Sequence, residues 1–131
     1  MDADHPYVLA TSEEPGAPTI VELPGHWALD DWEPYNYLPG ITGSGVISSP
    51  ADVLARWTLE LEALVDDGGL FMVTNHPFVS GRPSRAVALE RLIERAKAID
   101  GVWIASAAEI AKHVATLGLE PVVHRRPAIS T

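Results

Sequence analysis

The sequence has 131 residues, of which 47% are hydrophobic, which is sufficient for one folded domain of ordinary size. Its formal net charge of -9, from 18 acidic and 9 basic residues, argues against a nucleic-acid or anionic-membrane partner. There is no cysteine, which excludes disulfides and thiolate metal ligands, and no stretch approaches the roughly 20 apolar residues that span a bilayer. The acidic start, MDAD, is unlike the basic start of a signal peptide, so we expect a soluble cytoplasmic protein.

The first half of the chain contains one predicted strand, a long loop and one predicted helix. Residues 19–23, TIVEL, are typical of a strand and are ended by Pro24. The proline, tyrosine, asparagine and glycine content of residues 33–48 predicts a loop. Ser49 is a typical N-cap and is followed by proline, so a helix is predicted from there to the Asp-Gly-Gly end at residues 67–69. Its apolar face comprises Val53, Leu54, Trp57, Leu61, Leu64 and Val65.

The second half alternates short apolar runs with helical patterns. Residues 70–74, LFMVT, predict a buried strand, and residues 84–99 predict a helix. Residues 102–105 predict another strand, and the capping-box pattern at Ser106 opens a helix that runs to Gly118. A last strand is predicted at residues 121–124.

The order of these elements predicts an α/β fold. The predicted strands alternate poorly between apolar and polar residues, which indicates burial on both faces of a parallel sheet covered by helices. Trp57 and Trp103 lie on apolar faces and are predicted core residues. Three or four strands make a small sheet with open edges, so the chain resembles part of a larger assembly.

His76 is the principal candidate for chemistry. It follows a predicted strand and precedes a glycine- and proline-containing loop and a helix, and in α/β folds such loops often carry the active site. One interpretation is a histidine hydrogen-bonded to the backbone. The other is a general acid that protonates a departing amine, since imidazole titrates near neutral pH.

Asp30 and Asp31 are adjacent carboxylates that need solvent or partners. They either cap a turn, or one of them orients a cation or catalytic partner while Trp32 forms the wall of an apolar pocket. Arg82 and Arg85 are candidates for binding an anionic substrate group, or are simply solvated.

Two other patterns argue against further sites. The five histidines form no compact metal-binding spacing, so no metal site is predicted from this chain alone. The glycine cluster at residues 40–45 lacks the Lys-Ser/Thr pair of a phosphate-binding loop and is predicted to be a flexible loop.

Three segments in order resemble the C-terminal half of polysaccharide deacetylases, the NodB-homology family. They are ELPGHWALDDW (22–32), NHPFVSGRPSR (75–85) and GVWIASAAEIA (101–111), and DHPY (4–7) resembles a fourth segment. They are most similar to the intracellular branch, which includes metal-independent allantoinases and the Helicobacter-type peptidoglycan deacetylase homologue. The resemblance implies that residues 1–131 are the C-terminal part of a distorted (β/α) barrel.

The resemblance also implies an activity and roles for individual residues. The expected reaction is hydrolysis of carbon-nitrogen bonds in N-acetylated sugars or in cyclic ureides and imides. His76 matches the histidine that acts as general acid, and Asp31 matches a carboxylate that supports an arginine, which in turn tunes the catalytic base. Trp32, Arg82 and Asp30 are expected to contact substrate.

In this family a divalent ion, usually zinc, is held by an aspartate and two histidines of the N-terminal half, which this chain lacks. We therefore expect the chain to need that half as a partner, either in the same polypeptide or as a separate subunit, to be associated as an oligomer, and to be inactive alone. Three origins remain open: a piece of a longer enzyme, a subunit of a split enzyme, or a degenerate descendant. The alternative function is a non-catalytic module that binds a partner through its open sheet edge.

Overall fold

The computed structural model describes residues 4–36, 40–41 and 46–123, and the chain divides into two compact units. The helical unit comprises residues 1–4 and 24–104, and the sheet unit comprises residues 5–23 and 105–131. The fold is mixed α/β. In chain order the elements are β1 (Tyr7–Ala10), β2 (Thr19–Glu22), a 3-10 helix (Trp27–Leu29), α1 (Trp32–Tyr35), α2 (Pro50–Asp67), α3 (Pro77–Ser80), α4 (Pro83–Ala98), α5 (Ala107–Val114) and β3 (Val122–Val123).

The sheet unit contains three short strands in the order β2-β1-β3. β1 is antiparallel to β2, with Tyr7 opposite Glu22, and parallel to β3, with Leu9 opposite Val122. The all-parallel sheet predicted from the sequence is therefore wrong for the described strands. A hairpin-like connection from β1 to β2 needs only a short loop, so that pair forms antiparallel.

Helix α5 of the sheet unit contacts β2 and begins with the predicted capping box. The Ser106 hydroxyl accepts from the Glu109 backbone N–H, and the Glu109 carboxylate accepts from the Ser106 N–H at 2.9 Å. The Ser106 hydroxyl also donates to the Glu109 carboxylate at 2.7 Å, and this hydrogen bond, followed by the one from the Ser106 N–H, holds the pKa of Glu109 below its ordinary value of 4.5. The helix ends at Val114, earlier than the predicted Gly118.

Helix α2 confirms the prediction made from its caps. The Ser49 side chain accepts from the Ala51 N–H, and Pro50 occupies the first turn, where its missing N–H leaves no hydrogen bond unmade. The helix stops at Gly68, whose φ of 72° is in the left-handed region that glycine adopts without steric cost.

The core of the helical unit lies between α2 and α4. Trp57 anchors it, because its ring is buried and its indole N–H donates to the Ala28 carbonyl at 2.8 Å, tying α2 to the 3-10 helix. Each fully buried side chain of this size contributes about 1.5–3 kcal/mol through loss of apolar surface to water. The buried members are Leu29, Tyr35, Val53, Trp57, Leu61, Val79 and Leu92.

Two predicted strands of the helical unit are not strands in the part of the chain that the structure describes. Residues 70–74 form no strand ladder, and Thr74 forms a single parallel bridge with Asp30. Residues 102–105 also have no regular secondary structure, and Trp103, predicted to be in the core, is 56% exposed. A short apolar run becomes a strand only when another strand lies beside it, and neither segment has a neighbouring strand among the described residues.

No helix among the described residues is long and apolar enough to cross a membrane.

Candidate active site

The bridge between Asp30 and Thr74 brings together two segments that are distant in sequence. The Asp31 N–H donates to the Thr74 carbonyl at 3.0 Å, and the Thr74 N–H donates to the Leu29 carbonyl at 2.9 Å. The two segments thus end side by side, and each continues into a one-turn helix. Asp31 precedes α1 and His76 precedes α3, so the loop histidine and the loop carboxylate meet at the same end of the bridge.

Asp31 and His76 form a close hydrogen-bonded pair. The Nδ1 atom of His76 lies 2.6 Å from Asp31 Oδ1, and the His76 backbone N–H donates to Asp31 Oδ2 at 2.9 Å. The Asp31 side chain is fully buried, whereas the His76 side chain is 34% exposed. A carboxylate with no access to water has to be satisfied by donors within the protein, and the histidine supplies two of them.

This contact determines which nitrogen of the imidazole is available for chemistry. A carboxylate oxygen only accepts, so the proton between the two side chains belongs to His76 Nδ1. The other ring nitrogen, Nε2, is then the one that exchanges a proton with a bound molecule. The pair therefore has the arrangement of a histidine acid or base oriented by a carboxylate.

The described partners of Asp31 are not the arginine that the resemblance implies. Besides His76, the carboxylate accepts from the buried hydroxyl of Ser80 at 2.5 Å. Within the described residues, the supporting role of Asp31 is thus directed at His76 itself.

Asp30 has the other role that the sequence left open for the acidic pair. Its Oδ1 accepts from the Trp32 backbone N–H at 2.8 Å, which is a turn-capping contact. The same oxygen lies 3.8 Å from His76 Nδ1, so it adds negative charge beside the ring without forming a hydrogen bond to it. One carboxylate of the pair caps the turn and the other orients the histidine.

Aromatic side chains surround the imidazole. The rings of Trp32 and Phe78 contact the His76 ring edge to face, with centroids 5.6 and 5.8 Å away, and contact each other at 6.1 Å. Phe78 is 70% exposed, so one face of this aromatic group is open to a bound molecule. Trp32, predicted to form the wall of an apolar pocket, contacts the His76 ring, and Phe78 lies beside both rings.

The two candidate arginines occupy different environments. Arg82 is exposed at the start of α4, and its side chain makes no capping hydrogen bond there. Arg85 instead donates to the backbone carbonyls of Val79, at 2.9 Å, and Tyr35, at 3.4 Å, and lies over the Tyr35 ring. Burial raises the pKa of the Tyr35 phenol above 10.0, against the opposing charge of Arg85. These contacts give Arg85 a structural role, linking α1 to α3.

Asp30, Asp31 and His76 also place three potential metal-ligand atoms within 4.8 Å of one another. The hydrogen bonds do not fit an ion shared by all three, because His76 Nδ1 and Asp31 Oδ1 are within hydrogen-bond distance of each other, at 2.6 Å. The second Asp31 oxygen already accepts two donors, from the backbone N–H of His76 and the hydroxyl of Ser80. The arrangement is that of an acid–base pair and offers no ready ligand set for a metal ion, and the resemblance places the zinc ligands in the N-terminal half.

A cleft of about 580 Å³ borders His76 on the side of α4. Its walls are largely apolar, from Val87, Leu89 and Ile93, with Glu90 at its rim. Asp30, Trp32 and Arg82, the predicted substrate contacts, do not line it. His76 therefore borders both the aromatic group and this cleft.

Sequence reasoning missed two residues that contact the pair or its ring, Ser80 and Phe78. Both lie in the NHPFVSGRPSR segment, and a helix that begins at Pro77 places Ser80 one turn after His76. The His-Pro start and the spacing of four residues could have indicated this contact.

Comparison with known proteins agrees with the resemblance of the three segments. No family model matches the sequence. The chain is 32% identical to a peptidoglycan deacetylase of Helicobacter pylori over 88 residues, which are 65% of this chain and 30% of that protein. A crystal structure from Mycobacterium smegmatis, of a protein provisionally assigned as a polysaccharide deacetylase, matches 98% of this chain with a TM-score of 0.88 and 46% identity.

The chain is similar to polysaccharide deacetylases in sequence and in structure, as the resemblance predicted. It spans less than half of either relative, 30% of the Helicobacter protein and 44% of the Mycobacterium chain.

Proposed function

We propose that this chain supplies the general acid of an enzyme that hydrolyses a carbon-nitrogen amide bond, with an N-acetylated sugar polymer as substrate. The observation that carries the proposal is the 2.6 Å contact between the exposed ring of His76 and the buried carboxylate of Asp31. The similarity of the chain to two deacetylase relatives supports the reaction class. The names of the two relatives support the choice of a polysaccharide over a cyclic ureide.

In this proposal His76 acts when the amide bond breaks. Water adds to the acetyl carbon and gives a proton to a base that would lie in the segment outside this chain, the carbon-nitrogen bond breaks, and the departing amine takes a proton from His76 Nε2. The Asp31 carboxylate fixes Nδ1 as a donor and stabilises the positive charge of the protonated ring before the transfer. Trp32 and Phe78 supply an apolar surface for the acyl or sugar group next to that proton.

The remaining parts of the site are proposed to come from a segment outside this chain. That segment would complete a (β/α) barrel and hold the divalent ion, since Asp30, Asp31 and His76 do not form a ligand set. The apolar run at residues 102–104 fits this proposal, because Trp103 and Ile104 expose apolar side chains that a neighbouring segment would cover. When bound, the ion polarises the amide carbonyl.

A chimera tests the proposed function. This chain would replace the matching 44% of the Mycobacterium smegmatis protein, and acetate release from N-acetylglucosamine oligomers would be measured alongside hydrolysis of a cyclic ureide. We expect deacetylation, and His76→Ala should lower its rate by about 100-fold or more, the usual contribution of a general acid. His113→Ala is the matched control, because that exposed histidine lies on α5 of the sheet unit.

Hydrolysis of the ureide alone would show that the proposed substrate is wrong, but it would leave the assignment of His76 as general acid in place. Activity that His76→Ala leaves unchanged would contradict the catalytic assignment. The second candidate is a non-catalytic module, which the exposed apolar residues 103 and 104 favour. It predicts that the chain binds the complementary segment but that the complex does not hydrolyse either substrate.

A further inference from the structure

Ser80 is the last residue of α3, and its side chain is buried beside the acid–base pair. Its hydroxyl oxygen lies 2.5 Å from Asp31 Oδ2 and 3.1 Å from Asn75 Oδ1. A hydroxyl has a single proton, so it donates to the nearer oxygen, which is also the charged one. The Ser80 hydroxyl therefore donates its hydrogen bond to the Asp31 carboxylate.

The two ends of α3 hold the same carboxylate oxygen. The backbone N–H of His76, the cap residue before the helix, donates to Asp31 Oδ2, and the Ser80 hydroxyl donates to that oxygen from the far end. With Oδ2 occupied twice, Oδ1 is left to face the His76 ring. The helix thus acts as a clamp that decides which carboxylate oxygen meets the imidazole.

The clamp matters because the carboxylate of an aspartate rotates easily about its last bond. That torsion has a broad, roughly two-fold distribution, and one hydrogen bond to Oδ2 does not fix the plane of the group. A second hydrogen-bond donor from a different direction fixes that plane. Rotation of the carboxylate would move Oδ1 away from Nδ1 and allow the ring proton to occupy either nitrogen.

We propose that Ser80 is a positioning residue, which holds the Asp31 carboxylate in the plane that keeps the His76 ring proton on Nδ1 and Nε2 facing the substrate. This rests on the proposed general-acid role of His76. Ser80 is among the residues that line the cleft, but its hydroxyl is directed at Asp31 and Asn75, so the proposed effect on the reaction passes through Asp31.

The first measurement uses the 131-residue chain and requires no activity. Nitrogen-15 NMR of the His76 ring gives the fraction of the neutral imidazole that carries its proton on Nδ1. In Ser80→Ala this fraction should fall, and Ser80→Thr, which keeps a hydroxyl, should restore it. Val79→Ala is the matched control, because this buried neighbour packs in the core without donating to Asp31. It should lower stability and leave the proton where it is.

The second measurement uses the chimera. Ser80→Ala should lower kcat by up to about 100-fold with KM nearly unchanged, as expected when a catalytic group is slightly misplaced. Val79→Ala should retain the parental kcat at a temperature where both variants are folded. A Ser80→Ala protein with the parental proton position and kcat would overturn the proposal, and so would an equal loss of kcat in the two variants.

The two proposals fail in different ways. If the parental chimera has no activity, or if His76→Ala leaves its activity unchanged, the proposed function fails. The NMR measurement still tests the clamp in that case. If His76→Ala abolishes activity and Ser80→Ala changes neither readout, the general acid stands and the positioning role of Ser80 is wrong. Should Ser80→Thr prove too large to fold, the comparison of Ser80→Ala with Val79→Ala decides the outcome.

Discussion

Replacing Asp31 by alanine or by asparagine separates the two things that this side chain provides, hydrogen-bond acceptance and charge. The carboxylate is fully buried and accepts from the His76 ring, the His76 backbone N–H and the Ser80 hydroxyl. Alanine removes all three acceptors. Asparagine keeps the shape and one carbonyl oxygen but has no charge, so it can still accept from the backbone N–H.

The loss of stability in each variant depends on which hydrogen-bonding groups lose their partner. In Asp31→Ala the Ser80 hydroxyl can turn to Asn75 Oδ1, 3.1 Å away, but the His76 N–H has no other acceptor nearby among the contacts described. An orphaned buried donor costs about 1–3 kcal/mol, and the lost charge-assisted bond to the ring costs about 1.5–3 kcal/mol. We therefore expect the free energy of unfolding to fall by about 3–5 kcal/mol in Asp31→Ala, in the range for a broken buried pair. In Asp31→Asn we expect about 1–2 kcal/mol, because two charge-assisted bonds become neutral or are lost.

Urea unfolding followed by tryptophan fluorescence measures the difference in unfolding free energy between the two variants in the helical unit. All four tryptophans lie in residues 24–104, so the signal reports the helical unit. The expected order of stability is parent, then Asp31→Asn, then Asp31→Ala, at a constant m-value. An alanine variant as stable as the parent would mean that desolvation of the buried carboxylate cancels its hydrogen bonds, and the argument for a satisfied pair would then be refuted.

Two further predictions concern the elements that flank the site. Trp57→Phe should lower the free energy of unfolding by about 2–4 kcal/mol, measured by circular dichroism in urea, because it opens a cavity and orphans the Ala28 carbonyl. Trp27→Phe, at a 79% exposed site, should change it by less than about 0.5 kcal/mol, and equal effects would contradict the anchoring role of Trp57. Glu109→Gln should weaken amide-exchange protection at the start of α5 at neutral pH. Because the folded pKa of Glu109 is lowered, its contribution is present above 4.5 and lost as the pH falls through the lower folded value, so parent and variant should converge there.

Helices were predictable because their signals are local. The Ser49 cap, the proline after it and the glycine end of α2 lie within one continuous segment, and its apolar face packs as expected. The capping box at Ser106 was equally readable. The far end of α5 was not, because Leu117 and Gly118 looked like a continued helix, whereas the α-helix ends at Val114 and the chain continues in tighter turns that place the Leu117 N–H on the Val114 carbonyl. Helix ends without a strong stop signal depend on what packs there.

Strands were predicted less well, because pairing is set by residues far away in sequence. Residues 7–10 look unremarkable next to the apolar run at 70–74, yet residues 7–10 form the central strand and 70–74 form one bridge. The apolar content of residues 102–105 predicted that they are buried. These residues would be buried only if another strand covered them. Trp103 is exposed in this structure, so the apolar composition of a segment does not show whether another segment of the chain covers it.

The acidic pair at residues 30 and 31 shows why the roles within a site are harder to predict than its location. Both carboxylates lie on the same turn, and the sequence could not say which one caps it. The structure decides through backbone direction: Asp30 is the bridge residue, and its Oδ1 accepts from the N–H of Trp32. Asp31 is the next residue, and its side chain is buried toward α3. The backbone changes conformation between the two residues, from extended at Asp30 (φ -102°, ψ 130°) to helical at Asp31 (φ -72°, ψ -15°), so the adjacent carboxylates acquire different partners. His76, 45 residues away, forms its hydrogen bond with Asp31, whereas Asp30 lies 3.8 Å from the same ring nitrogen.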